Sequence, residues 1–145
     1  MTKKLFAAAL FCALMSAFSL QTSAKARYPY LQNERFVART MRVLHSAQVT
    51  YSATTGNGNY GSLSQLRAVY LINELLARGY ANGYNFTITT VARTNNNEAS
   101  FNVSAVPQIY GTTGIRSFYI DTSGVIYGAD KHGEPANADD PPIQQ

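Results

Sequence analysis

Four acidic side chains near the end of the chain are the candidates for metal chemistry. Asp130, Glu134, Asp139 and Asp140 fall within eleven residues, among glycines and backbone carbonyl groups. Calcium binds about six to eight oxygen ligands of this kind in flexible loops. Ordinary solubilising charges show the same spacing, and by spacing alone we favour that interpretation over a calcium site.

Side chains suited to acid–base or nucleophilic catalysis are few. The chain has two histidines. His45 lies beside the apolar stripe of a predicted helix, and nothing in the sequence orients His132. There is no serine in a G-x-S-x-G turn, no H-E-x-x-H pair of zinc ligands, no phosphate-binding glycine loop and no C-x-x-C. We therefore predict a protein without catalytic activity.

A row of three arginines, Arg35, Arg39 and Arg42, recurs at the spacing of one helix face. Such a row is typical of a solvated face, and it is also what an acidic partner or a lipid headgroup surface would require. The ten tyrosines lie mostly at core-spaced positions, so we assign them to packing rather than to stacking on bases or sugars.

The first 26 residues have the three parts of a secretory signal. Lys3 and Lys4 precede an almost wholly apolar run over residues 5–20, and an A-x-A cleavage pattern ends at Ala26. The run is shorter than the roughly 20 apolar residues of a spanning helix. We therefore predict that residues 1–26 are removed and that the protein is exported, to the periplasm or out of the cell.

The domain after this signal is close to neutral. The chain has 12 Lys and Arg against 8 Asp and Glu residues, and three of the basic residues lie in the signal, which leaves nine against eight. The only cysteine, Cys12, also lies in the signal, so the mature domain is predicted to be held by its core alone. We expect protein partners, no nucleic acid and, after cleavage, no membrane.

Apolar periodicity predicts two helices. Over residues 31–53 one stripe faces a core, made of Phe36, Val37, Thr40, Met41, Leu44, Ala47 and Tyr51. After a Gly- and Asn-rich loop, Ser62 and Gln65 form a capping box that begins a second helix, which ends at Gly79. Its predicted buried face consists of Leu63, Leu66, Val69, Tyr70, Leu75 and Leu76.

Alternating apolar and polar residues predict three or four antiparallel strands after Gly83. The first begins at Tyr84, the second ends at Pro107, and a hairpin joins residues 116–120 to 125–127. The order of elements predicts an α+β domain over residues 27–127, with the long helix and the second helix packed on the sheet. Residues 128–145 are predicted to form an irregular tail.

Five segments of the chain together resemble type IV pilin-like proteins, including the major pseudopilins of type II secretion. They are residues 44–51 (LHSAQVTY), 56–66 (GNGNYGSLSQL), 83–87 (GYNFT), 111–121 (GTTGIRSFYID) and 123–127 (SGVIY). The resemblance covers residues 35 to about 140 and implies a long helix laid against an antiparallel sheet, the fold of a pilin head. In the pseudopilin branch it also implies calcium in the C-terminal loop, where Asp130, Asp139 and Asp140 match in order.

The amino terminus departs from that family. Family members retain an apolar half-helix behind a leader that ends in glycine, whereas this chain has an ordinary A-x-A site. We therefore expect an exported, non-catalytic, structural or accessory binding protein whose partners are pilins or secretion components. Two alternatives stay open: a filament subunit that keeps its apolar helix, and a small exported hydrolase or inhibitor.

Overall fold

The computed structural model of the chain describes residues 29–143, and the predicted signal over residues 1–26 lies outside them. The α+β class is confirmed. In the described part, no helix combines the length and the apolar content needed to cross a bilayer. The helices and strands are Pro29–Thr54 (α1), Leu63–Ala68 (α2), Glu74–Ala77 (α3), Tyr80–Ala81 (β1), Tyr84–Val91 (β2), Ser100–Pro107 (β3), Arg116–Asp121 (β4) and Ile126–Asp130 (β5).

The sheet is an antiparallel meander with the strands in the order β1-β2-β3-β4-β5. It has five strands rather than the three or four predicted, because β1 pairs with the start of β2. The turn between them is Asn82-Gly83, with φ values of 50° and 76°. Two successive residues with positive φ form the tight hairpin turn whose twist suits antiparallel strands, so this dipeptide is the sequence signal for the extra strand.

The long helix α1 packs on β3 and β4 through the stripe that its periodicity predicts. Val37, Met41, Leu44, Ala47 and Tyr51 are all buried. Together with apolar side chains of the sheet they form the core of the domain.

Phe36 does not belong to this stripe. It was predicted to be buried, but it is 44% exposed. Successive residues of a helix differ by about 100° in direction, so the position next to the buried Val37 turns away from the sheet.

The predicted second helix is broken into α2 and α3. The capping box of Ser62 and Gln65 is confirmed, but Tyr70 has a φ of 60° and the backbone N–H of Leu71 donates to the carbonyl of Leu66. A left-handed residue with such a bond ends a helix. Tyr70 is therefore 83% exposed, and Leu75 is 57% exposed; both were wrongly predicted to be buried.

The tail packs against the outer edge of the sheet. β5 continues to Asp130, beyond the boundary predicted at residue 127. The chain then returns, so that the N–H of Gly128 donates to Pro141 and the N–H of Ile143 donates to Ile126. Covering an edge strand removes a row of unpaired backbone groups. The tail is therefore part of the packed domain.

Gln48 fixes the loop that follows α1. It lies on the apolar stripe and is fully buried. Its Nε2 donates to the Gly61 carbonyl at 2.6 Å, and its Oε1 accepts from the Gly61 N–H at 2.8 Å. Both ends of a buried amide are thus satisfied by one backbone position.

We predict that Gln48→Ala lowers the free energy of unfolding by about 2 kcal/mol, because the substitution leaves two backbone groups of Gly61 without partners. Urea unfolding followed by circular dichroism measures the loss. Gln32→Ala is the matched control, since Gln32 is an exposed residue of the same helix. Equal losses in the two variants would show that the reciprocal amide pair contributes nothing.

Candidate binding groove

A groove of about 650 Å³, which we call the arginine groove, is lined by residues of α1, β4 and the tail. Four of its residues are arginines and one is a glutamate. The full lining is Glu34, Arg35, Ala38, Arg39, Arg42, Arg116, Phe118 and Ile143. The groove therefore carries more positive than negative charge on a partly apolar wall.

Glu34 is the buried anion of the groove, with 4% of its side chain exposed. One carboxylate oxygen accepts hydrogen bonds from the backbone N–H groups of Ile115 and Arg116, each at 3.1 Å. The other oxygen accepts from Arg116 Nε at 2.9 Å. A buried carboxylate needs such partners to offset its loss of hydration, and here three donors supply them.

Two side chains besides Glu34 hold the loop before β4 and the first residue of that strand. Asn33 Nδ2 donates to the carbonyl of Thr113, and the Tyr84 hydroxyl donates to the carbonyl of Arg116 at 2.8 Å. Burial first, and the Glu34 carboxylate second, raise the pKa of Tyr84, so this hydroxyl keeps its proton. Gly114 is required here, because a Cβ atom at that position would lie 1.8 Å from the Tyr84 hydroxyl oxygen.

Arg116 is oriented by two contacts. Its side chain is 44% exposed and is bound at Nε by Glu34. Its guanidinium carbon lies 5.3 Å from the centre of the Phe118 ring, a distance at which a cation is attracted to an aromatic face. Arg116 thus forms a fixed wall of the groove opposite the arginines of α1.

Arg35, Arg39 and Arg42 form the α1 side of the groove. Within residues 29–143, none of them makes a salt bridge to a carboxylate. Arg39 lies over the Phe36 ring at 5.8 Å. Arg42 Nη2 is buried and has no hydrogen-bond partner. Arg35 and Arg39 are exposed, so their guanidinium groups can donate to a ligand in the groove.

No protein-family model, curated protein or solved structure matches this chain.

The candidate calcium ligand Asp130 is occupied by protein donors. Its carboxylate accepts hydrogen bonds from the Tyr110 hydroxyl at 3.0 and 3.1 Å and from the His132 N–H at 3.0 Å. The hydrogen bond from His132 lowers the pKa of Asp130 below its ordinary value, with a smaller effect of the Tyr110 hydroxyl in the same direction. The carboxylate is thus charged but already partnered.

Asp140 and Asp139 lie in a separate turn. The Asp140 carboxylate accepts from the Asn137 N–H at 2.8 Å and from Lys131 Nζ at 3.1 Å, which hold its pKa below the ordinary value. Within residues 29–143, no three Asp, Glu, His or Cys side chains are grouped to hold a metal ion. The structure thus places Asp130 and Asp140 in two separate turns, and each carboxylate is bound by its own protein donors.

The histidines are not brought into a catalytic group. His45 packs 5.7 Å from the Phe101 ring, and its Nε2 is buried without a partner. In the described part of the chain, its ring is not in an ion pair with any carboxylate. His132 is exposed, with Nδ1 3.8 Å from an oxygen of Asp130.

The sequence identified only part of the arginine groove. It predicted the row on α1 but missed Glu34 and Arg116. A signal for Glu34 was present, because Glu34 precedes the buried Val37 by three positions and continues the stripe. Nothing local predicts Arg116, which reaches the groove only through the pairing of β4 in the sheet.

We predict that Glu34→Ala lowers the free energy of unfolding by about 3 kcal/mol, because two backbone N–H groups and the Arg116 guanidinium lose their acceptor. Urea unfolding measures this loss of stability. Glu134→Ala is the control, since Glu134 is exposed and should change stability by less than about 0.5 kcal/mol. A loss no larger than in this control would contradict the anchoring role of Glu34.

We also predict that millimolar calcium, or a chelator, leaves the melting temperature unchanged. An ion that binds only the native state must raise the stability of the protein. The candidate ligands Asp130 and Asp140 already accept hydrogen bonds from protein donors, so we expect no such ion to bind. Differential scanning fluorimetry measures the melting temperature with and without calcium. A calcium-dependent rise that Asp139→Asn abolishes would restore the calcium site.

Proposed function

We propose that this protein is an exported, non-catalytic accessory binding protein with a pilin-head-like fold, and that it binds pilins or secretion components. The observation that carries the proposal is the arginine groove. It presents unpaired guanidinium groups of α1 beside the fixed Arg116, on a rigid helix and a rigid strand. Such an arrangement suits recognition of a partner.

The architecture agrees with the resemblance to pilin heads. A helix of 26 residues lies against an antiparallel meander, which is the arrangement that the resemblance implies. These features support a pilin-like role, and the groove supplies a surface through which such a head could contact a partner.

The distribution of titratable groups supports binding rather than catalysis. A general base must lie within hydrogen-bond reach of the proton it takes and is usually oriented by a further group. His45 has neither an accessible Nε2 nor a carboxylate partner in the described residues. The Asp121 carboxylate accepts from the Ser123 N–H and serves the turn between β4 and β5.

The proposal is tested on protein purified after export of the full chain in its native host. We expect N-terminal sequencing to find a start near Arg27, and we expect the protein in the periplasmic or culture fraction rather than in sheared filaments. Purified pilin heads and secretion components of the same host, immobilised on a sensor, should then bind it.

Two results would contradict the proposal. A mature start that retains residues 5–20, with the protein in filaments, would favour the filament subunit. Failure to bind any purified pilin or secretion component, despite a start near Arg27, would remove the accessory binding role.

A further inference from the structure

We infer that the arginine groove binds an acidic segment of a partner protein, in which carboxylate side chains alternate with apolar ones along an extended chain. The inference rests on the proposed function, since it specifies the chemistry of the partner in that binding role. It follows from the pairing of the arginines, the buried nitrogen of Arg42, and the size and lining of the groove.

Among the described residues, the α1 arginines differ from every other arginine because they form no ion pair with a carboxylate. Arg67 and Arg78 both pair with Glu74, at 3.2 and 3.3 Å, and Arg93 pairs with Glu98. Arg116 pairs with Glu34. All three arginines without a carboxylate partner line the groove, on one face of α1.

Arg42 adds a donor with no acceptor. Within residues 29–143 its Nη2 has neither solvent exposure nor a hydrogen-bond partner, and buried polar atoms in native proteins are nearly always partnered. Arg42 also lines the groove, so a guanidinium that turns toward the groove can donate to a carboxylate bound there. Carboxylates match the planar guanidinium fork with two parallel hydrogen bonds.

The groove has room for a ligand larger than a lone small anion. Its volume of about 650 Å³ lies within the roughly 300–1,000 Å³ of ligand pockets, whereas one water takes about 30 Å³. Ala38 and Ile143, which are partly exposed, give the wall an apolar part. A segment with both apolar and acidic side chains uses the whole lining.

The spacing of the arginines fits an extended segment. Seven residues separate Arg35 from Arg42, which is about 10.5 Å along a helix. Alternate side chains of an extended chain lie about 6.6 Å apart on one face. Two carboxylates at alternate positions can therefore reach successive arginines of the row, while the side chains between them face away.

A protein segment is favoured over a lipid surface. Helices that lie in a membrane interface insert their apolar face, but the apolar stripe of α1 is buried against the sheet. The groove is also walled by Arg116 and Ile143, which leaves a recess rather than a flat surface. Binding to a lipid surface is one of the outcomes that the test below distinguishes.

The test measures fluorescence anisotropy of a short labelled peptide that alternates Glu and Val, titrated with the purified protein. The control ligand replaces each Glu by Gln. We expect the acidic peptide to bind and the amide peptide to bind about tenfold more weakly or not at all. Binding should weaken between about 0.05 M and 0.5 M salt, because exposed charge pairs are screened.

The protein variants locate the site. The triple variant Arg35→Gln, Arg39→Gln, Arg42→Gln should lose at least about tenfold in affinity, and Arg42→Lys should lose part of it, because an ammonium group cannot bind a carboxylate as a fork. Arg93→Gln is the matched control, since Arg93 lies outside the groove and is paired with Glu98. Circular dichroism and the melting temperature verify that each variant is folded.

Three results would overturn the inference: equal binding of the acidic and amide peptides, equal binding by the triple variant and the Arg93→Gln control, or arginine-dependent binding to anionic vesicles without binding to the peptide. None of these results contradicts the proposed function if the exported protein starts near Arg27 and binds a pilin or a secretion component. Peptide binding by a protein that stays in filaments would instead remove the proposed function alone.

Discussion

The buried carboxylate of Glu34 is the interaction on which the arrangement of the domain depends. It joins the beginning of α1 to residues 115 and 116, more than 80 positions later in the chain. Because a buried carboxylate without donors is strongly unfavourable, the position of the helix and the path of the loop before β4 are set together. The placement of Arg116, and with it one wall of the groove, follows from the same contact.

The buried stripe of α1 contains two polar side chains, and each of them holds a loop. Glu34 holds the loop before β4, and Gln48 holds the loop after α1 through Gly61. Neither loop has a fully buried apolar side chain, so hydrophobic burial does little to fix their paths. Hydrogen bonds to a buried side chain provide direction as well as energy, and the two anchors lie fourteen positions apart, near opposite ends of one rigid helix.

The sequence predicted the elements whose patterns are local and failed where distant parts of the chain meet. Periodicity identified α1, β2 and β3, and the capping box identified the start of α2. The break at Tyr70 was missed because a left-handed tyrosine leaves no sequence signal comparable to that of glycine. The sequence predicted only part of the arginine groove. The arginine row of α1 is a local pattern, whereas Arg116 joins that row through the register of the sheet.

The unpaired arginines do not result from a shortage of carboxylates. Glu74 serves two arginines, and the pairs of Arg67, Arg78 and Arg93 form between residues no more than seven positions apart. Glu134 and Asp139 are exposed and, within residues 29–143, make no salt bridge. Salt bridges between exposed side chains contribute little to stability, so folding alone neither requires nor prevents a pair at the groove. The absence of a carboxylate beside Arg35, Arg39 and Arg42 within residues 29–143 is therefore not a requirement of the fold, and it leaves these side chains free for the acidic partner that we propose.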